Sequence, residues 1–251
     1  GSDVTLTATA DGDSHFAGWG GECSGTGNCE LQLNTSRPVA ARFEPPGLRW
    51  ANVWGGEQEV TLTGMTVGGD GTIYGIAENA SWQPLDLGTG PMEPQGYDGA
   101  LAAYDPDGSP RWVQPLAGPG KEEVMHVAAW PSGDVVVVGN TTSEQIDLGA
   151  GVLTGEGTVF AARYSAAGDA IWSRRLVEFG GAHDAYPVVD PSGAVTLVGK
   201  DSLRLDEKGE VVWTVTGGSF DVGAAGPAGS VFVTGYRPFG PGKFYINGES
   251  I

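Results

Sequence analysis

No ten-residue window of this chain carries the apolar period of an amphipathic helix, and no run of 18 apolar residues occurs. A helical bundle and a membrane-spanning helix are both excluded. Basic residues are scarce: 13 Lys and Arg stand against 31 Asp and Glu, a formal charge of −18. Such a surface repels phosphate, and the one basic cluster, Arg174-Arg175, is too small to reverse that, so no nucleic acid partner is expected. The chemistry-bearing residues are also few. There are two cysteines and three histidines, and H-E-x-x-H, G-x-S-x-G and the phosphate-binding glycine loop are all missing. The acidity reads as a means of solubility, with direct binding of a divalent cation as the alternative.

Glycine, by contrast, is plentiful: 43 residues, scattered among short apolar runs rather than gathered in one tract. Many tight turns between short strands follow, and the fold class expected is all-β. An internal repeat sets the architecture. Thr158–Leu176 reads as two strands, Thr158–Tyr164 and Ala170–Leu176, joined at Gly168-Asp169; Gly99–Leu116 and Ser202–Gly217 return to the same plan, each with a tryptophan shortly after the turn glycine. Trp50, Trp112, Trp172 and Trp213 are spaced by 62, 60 and 41 residues, about the length of four short strands with their loops, which is the size of a propeller blade. Aligning the turn glycines Gly71, Gly133, Gly193 and Gly229 gives innermost strands at Met65–Val67, Val127–Ala129, Pro187–Val189 and Gly223–Ala225. Second strands follow at Thr72–Ala77, Asp134–Gly139, Ala194–Gly199 and Ser230–Gly235.

Residues 1–44 are expected to form a separate unit, with 45–47 as a proline-stiffened linker and 48–251 as the repeat region. In the first unit Val4, Leu6 and Ala8 alternate with threonines as in a half-buried strand. Cys23 and Cys29 flank a small glycine-rich loop. One such pair with His15 as the only nearby histidine suits a disulfide better than a metal, and a disulfide points to export from the reducing cytosol. Phe16 and Trp19 read as the core of a very small domain, a sugar-stacking platform being the alternative. Phe16, Gly18, Trp19, Cys23, Cys29, Val39, Ala41 and Phe43 together resemble the hallmark of bacterial extracellular domains related to the B repeats of internalin-type surface proteins. One or two strands that normally precede V-T-L-T-A are missing, so the resemblance implies a unit cut from something longer.

From Leu48 onward the chain resembles the SBBP type of β-propeller repeat of secreted and cell-surface bacterial proteins. Gly133, Val135, Val137, Gly139, Phe160, Tyr164, Gly168 and Trp172 carry the pattern, and Gly229, Val231, Val233, Thr234 and Gly235 repeat its first half. Counting strands gives Leu48–Trp54 as an outermost strand, three complete blades and half of a fourth, about three and a half blades. A ring truncated from a longer propeller is favoured over a self-closed four-bladed ring. In either case open blade edges offer a route to self-association.

Candidate ligand-binding residues are those expected near the axis, Glu123, His126, His183 and Asp184 (with Glu122 beside Glu123), and Trp82 in the variable loop Asn79–Tyr97. No catalytic residue and no metal site is assigned. The turns Asp105–Gly108, Asp206–Gly209 and Gly69-Asp70-Gly71 read as hairpin chemistry. Calcium is the one cofactor they bring to mind, and they lack the later carboxylates of a calcium loop. The function expected is a secreted or cell-surface recognition, adhesion or scaffold module for a protein or glycan, without enzymatic activity. The alternatives are a structural spacer or filament subunit, and a hydrolase or lyase with its site in the propeller channel.

Overall fold

Strand follows strand with no helix among the described residues, which in this computed structural model are 2–11, 14–33, 38–44, 60–80, 84–93, 95–177, 179, 185–199, 201–216, 220–226, 230–235, 245–246 and 249–250. The linker at 45–47, the strand expected at Leu48–Trp54, Trp82, and the His183-Asp184 pair all lie outside the described residues. Two units divide the chain, Gly1–Ala51 and Asn52–Ile251.

The first unit holds β1 (Ser2–Leu6), β2 (His15–Gly21), β3 (Cys29–Leu33) and β4 (Val39–Glu44). β1 runs antiparallel to β3 and β2 antiparallel to β4. Its apolar centre is aromatic: the Phe16 ring lies 5.1 Å from Trp19, edge to face, and 5.5 Å from Phe43. The Trp19 indole donates to the Gly27 carbonyl at 2.6 Å, inside the loop that the Cys23–Cys29 disulfide closes. Phe16 and Trp19 are half-buried and Phe43 is 45% exposed, so the three rings cluster together without being enclosed. Gly21 must be glycine, since a Cβ there would stand 2.3 Å from the Pro38 carbonyl oxygen.

The second unit is a succession of antiparallel sheets. The first blade contains β5 (Val60–Val67), β6 (Ile73–Asn79), a small hairpin of β7 (Leu85–Asp86) and β8 (Pro91–Met92), then β9 (Asp98–Tyr104) and β10 (Pro110–Leu116). The second repeats it with β11 (Glu122–Ala129), β12 (Val135–Thr141), the small hairpin β13 (Gln145–Asp147) and β14 (Val152–Thr154), β15 (Val159–Tyr164) and β16 (Ala170–Leu176). The third is β17 (Tyr186–Val189), β18 (Val195–Val198), β19 (Ser202–Leu205) and β20 (Val211–Thr216), without a small hairpin. β21 (Phe220–Ala225) and β22 (Val231–Gly235) pair as half of a fourth. The short strands β23 (Tyr245–Ile246) and β24 (Glu249–Ser250) extend the outer edge of β20. In every complete blade the order is the up-and-down meander inner, second, third, outer.

The inner strands pack in series, β5 on β11, β11 on β17 and β17 on β21, so the second and third blades each pack between a predecessor and a successor. β12 shows why its sequence is a continuous apolar run rather than an alternating one. Val135 and Val137 enter the core shared with the first blade, beside Tyr74, Ile76 and Leu101, and Val136 and Val138 enter the core shared with the third, beside Val195 and Leu197. All four are fully buried, and burial of each stabilises the sheet by very roughly 1.5–3 kcal/mol.

Candidate functional site

Each blade reverses tightly after its inner strand and again after its third, which places both turns of every blade at the same end. The aspartates of these turns are consumed locally. Asp70 accepts from the Thr72 amide and hydroxyl, Asp107 from the Ser109 amide, and Asp206 from the amides of Lys208 and Glu210; these backbone hydrogen bonds hold all three carboxyls below their ordinary range. Among the described residues no three His, Cys, Asp or Glu side chains converge as a metal site.

Arginine does the work of tying turns to sheets. Arg163 stacks 4.3 Å over the buried Trp130 ring, holds Asp134 through Nε and Nη2, and reaches into the third blade to donate to the Gly193 carbonyl at 2.8 Å. In the first seam a tyrosine takes that place, Tyr74 donating to the Gly133 carbonyl. Within the third blade Arg204 pairs with the fully buried Asp190 at 2.5 Å. Trp130, Pro131, Asp134 and Arg163 face Pro191 and Gly193 across an open cleft of about 330 Å³.

The opposite end carries the connections between blades, and Glu123 and His126 lie on β11, which begins there. Glu123 and His126 share β11, but a bulge between Val124 and His126 gives them different surroundings. Glu123 binds Lys121 at 2.6 Å and accepts from Asn140 at 3.4 Å; the Lys121 ammonium sits 4.4 Å from the centre of the Tyr97 ring, and Tyr97 donates its hydroxyl to Glu78 at 3.0 Å. Burial pushes the Glu78 carboxyl up, against the lowering effect of that hydrogen bond, and the charge of Glu123 raises it further. Glu122 is buried completely and accepts from the Thr141 and Ser143 hydroxyls through Oε1. His126 faces the next blade instead, its ring 4.4 Å from that of Tyr186, the residue at the matching repeat position. Glu123 is thus gathered with Glu78, Tyr97 and Lys121, and His126 with an aromatic neighbour. None of these groups forms a nucleophile-and-base pair with a positioned third member.

Sequence reasoning missed the small hairpins. They carry one motif twice, Asp86-Leu87-Gly88-Thr89-Gly90 and Asp147-Leu148-Gly149-Ala150-Gly151. In each, one aspartate oxygen accepts from both glycine amides, at 2.8 and 3.1 Å in the first and 2.8 and 3.2 Å in the second. The leucine is buried, and its carbonyl accepts the hydroxyl of the tyrosine that ends the third strand, Tyr104 to Leu87 at 2.9 Å and Tyr164 to Leu148 at 2.8 Å. Burial pushes the Tyr104 phenol up to about 12 and raises Tyr164 as well, so both remain donors. The signal that would have found the hairpins is the repeated D-L-G-x-G itself.

Comparison with known proteins reaches only part of the chain. Residues 1–46 match the divergent InlB B-repeat domain. The first unit is therefore similar to that repeat domain, in line with its F-x-G-W and cysteine loop. No curated protein matches the chain. Among solved structures, one similar chain is a protein of unknown function from Bacteroides caccae, 11% identical, covering 76% of this chain, with a TM-score of 0.42. This chain spans 56% of that protein's length.

Proposed function

We propose that the chain is a non-enzymatic binding and scaffold module of an exported bacterial protein, in which a B-repeat-like domain precedes propeller blades whose hairpins present a contact surface to a protein or glycan partner. The observation that carries this is the pinned hairpin. The longest insertions within the blades are not loose loops but Asp-capped turns anchored by a buried leucine and a tyrosine hydroxyl, which is the preorganisation a recognition surface needs. On the second blade the hairpin lies against β16 and leaves Val152 and Ile171 59% and 45% exposed. The disulfide and the B-repeat likeness support export.

The test is binding of the purified chain to a glycan array and to bacterial envelope proteins, repeated with Val152→Asp and Ile171→Asp. The expected result is a partner whose affinity falls at least tenfold in both variants while their melting temperatures stay unchanged. Binding that survives both substitutions, or no binding to any array or envelope component, overturns the proposal.

A further inference from the structure

Both cysteines of the chain belong to the first unit, and the second unit has none. Among the described residues of the first unit, a single apolar side chain is buried as deeply as the core of the second, and it is Cys29, at 3% exposure. The rings of Phe16 and Trp19 are half-buried and that of Phe43 is exposed, so the aromatic cluster encloses little. The first unit is therefore short of the apolar burial that would hold so small a fold without a cross-link.

The backbone leads to the same place. β1 with β3 and β2 with β4 are two-stranded sheets, and a sheet of two strands is marginal in water by itself. The chain passes from one sheet to the other through residues 22–28, the loop that the disulfide closes. Trp19 on β2 grips this loop twice, its backbone amide donating to the Gly25 carbonyl at 2.9 Å and its indole to the Gly27 carbonyl at 2.6 Å. At its far end the loop runs into Cys29, the first residue of β3, which stands opposite Leu6 of β1. The cross-link thus fixes a segment that is bound to both sheets.

We infer that the Cys23–Cys29 disulfide is a redox switch confined to the first unit: with the bond closed both of its sheets are held, and with the bond open they are lost while the second unit keeps its fold. Cys23 is half-buried and Cys29 is enclosed, so the thiolate of a reducing dithiol meets the Cys23 sulfur first. A mixed disulfide forms on Cys23, and Cys29 leaves as a thiolate and takes up a proton. The second thiol of the reductant then displaces Cys23, so that one dithiol is oxidised to its disulfide and two cysteine thiols form. The first unit is in consequence ordered only in oxidising surroundings. A chain held among reducing thiols carries a folded second unit and an open first one. This inference is independent of the partner proposed for the small hairpins.

The test is amide hydrogen exchange of the full chain, read by mass spectrometry before and after treatment with dithiothreitol, the gain of two hydrogens in the intact mass showing that reduction is complete. The expected result is exchange at least tenfold faster in 2–6, 15–21, 29–33 and 39–44 of the reduced chain, unchanged exchange in β12 and β15, and recovery of the first pattern when oxidised glutathione replaces the reductant. The double variant Cys23→Ser, Cys29→Ser should show the fast pattern in the first unit with and without dithiothreitol. Undiminished protection of the first unit in the fully reduced chain overturns the inference, as does a loss that reoxidation fails to restore. Equal acceleration in β12 and β15 also overturns it, because the bond would then govern more than the first unit.

Discussion

Trp112 lies across the turn at Gly168 of the following blade, its Nε1 donating to the Ala166 carbonyl at 3.0 Å, and the Trp172 ring lies across Gly209, its buried Nε1 making no such hydrogen bond. The tryptophan and glycine that recur together in the sequence are therefore not neighbours serving one hairpin. Gly168 and Gly209 are each held by the tryptophan of the hairpin before, and the pair repeats because the seam repeats.

Substitution of Gly168 by alanine combines a left-handed backbone with a methyl group driven into the indole. It is expected to cost more than about 2 kcal/mol, of which roughly 1–2 kcal/mol is backbone. Gly151, at φ +106° with no atom within 4 Å of where an alanine methyl would stand, isolates the backbone part, so Gly151→Ala should cost only about 1 kcal/mol. Urea midpoints of both variants, and of Gly168→Ala combined with Trp112→Ala, separate the two contributions. A double variant no better than additive would show that the indole is not the obstacle.

Asp190 and Arg204 form the most enclosed ion pair among the described residues, their side chains 0% and 12% exposed. Burial raises the Asp190 carboxyl, but the Ser192 hydrogen bonds and Arg204 outweigh it and leave it below its ordinary value. Because the folded value is depressed, the stabilisation is present above the unfolded value of about 3.9 and is lost only as pH falls through the folded one. Asp190→Asn should therefore destabilise the unit by about 3 kcal/mol at pH 7, by stranding the guanidinium, with nearly the same loss at pH 5. A loss that had vanished at pH 5 would contradict the assigned direction.

How much of the molecule is legible in its sequence differs from element to element. The second, third and outer strands of the second blade stand within about two residues of expectation, β12 at Val135–Thr141, β15 at Val159–Tyr164 and β16 at Ala170–Leu176, because glycine turns and apolar runs are local signals, whereas inner β11 starts at Glu122, five residues before the expected Val127. The surroundings of Glu123 are not legible in this way. Lys121 is near in sequence, but Glu78 and Tyr97 come from another blade, and only the seam brings them together. The His126–Tyr186 contact follows from repeat alignment, since matched positions on adjacent inner strands meet, but nothing in one strand alone announces it. The D-L-G-x-G hairpins are visible as a repeated motif, yet they fall between the strands that define the blade, and a strand count steps over them.

Glu78 holds its proton more tightly folded than unfolded, because burial disfavours the carboxylate and Glu123 adds to that, with Tyr97 and Lys121 opposing. A raised carboxyl contributes stability that is complete below the unfolded value of about 4.3 and is lost as pH rises through the folded one. Glu78→Gln keeps an acceptor for the Tyr97 hydroxyl and removes the charge. It should be more stable than the parent at pH 7 and indistinguishable near pH 4, as read from urea midpoints at the two pH values. A constant difference at both would mean that the carboxyl titrates normally in the fold.

Tyr164→Phe removes the hydroxyl that holds the Leu148 carbonyl and leaves that buried acceptor unpaired, a cost of about 1–3 kcal/mol. The consequence should be local before it is global. β13 and β14 pair only with each other, so their amides have no wider sheet to protect them once the anchor is gone. Hydrogen exchange in 145–154 should quicken at least tenfold in the variant while exchange in β12 and β15 rises only by the global loss. Tyr104→Phe should do the same to 85–92 through Leu87. Equal acceleration across the whole blade would show that the hairpin and the sheet open as one cooperative unit, and that the hairpin tips are no more independent than the strands they cover.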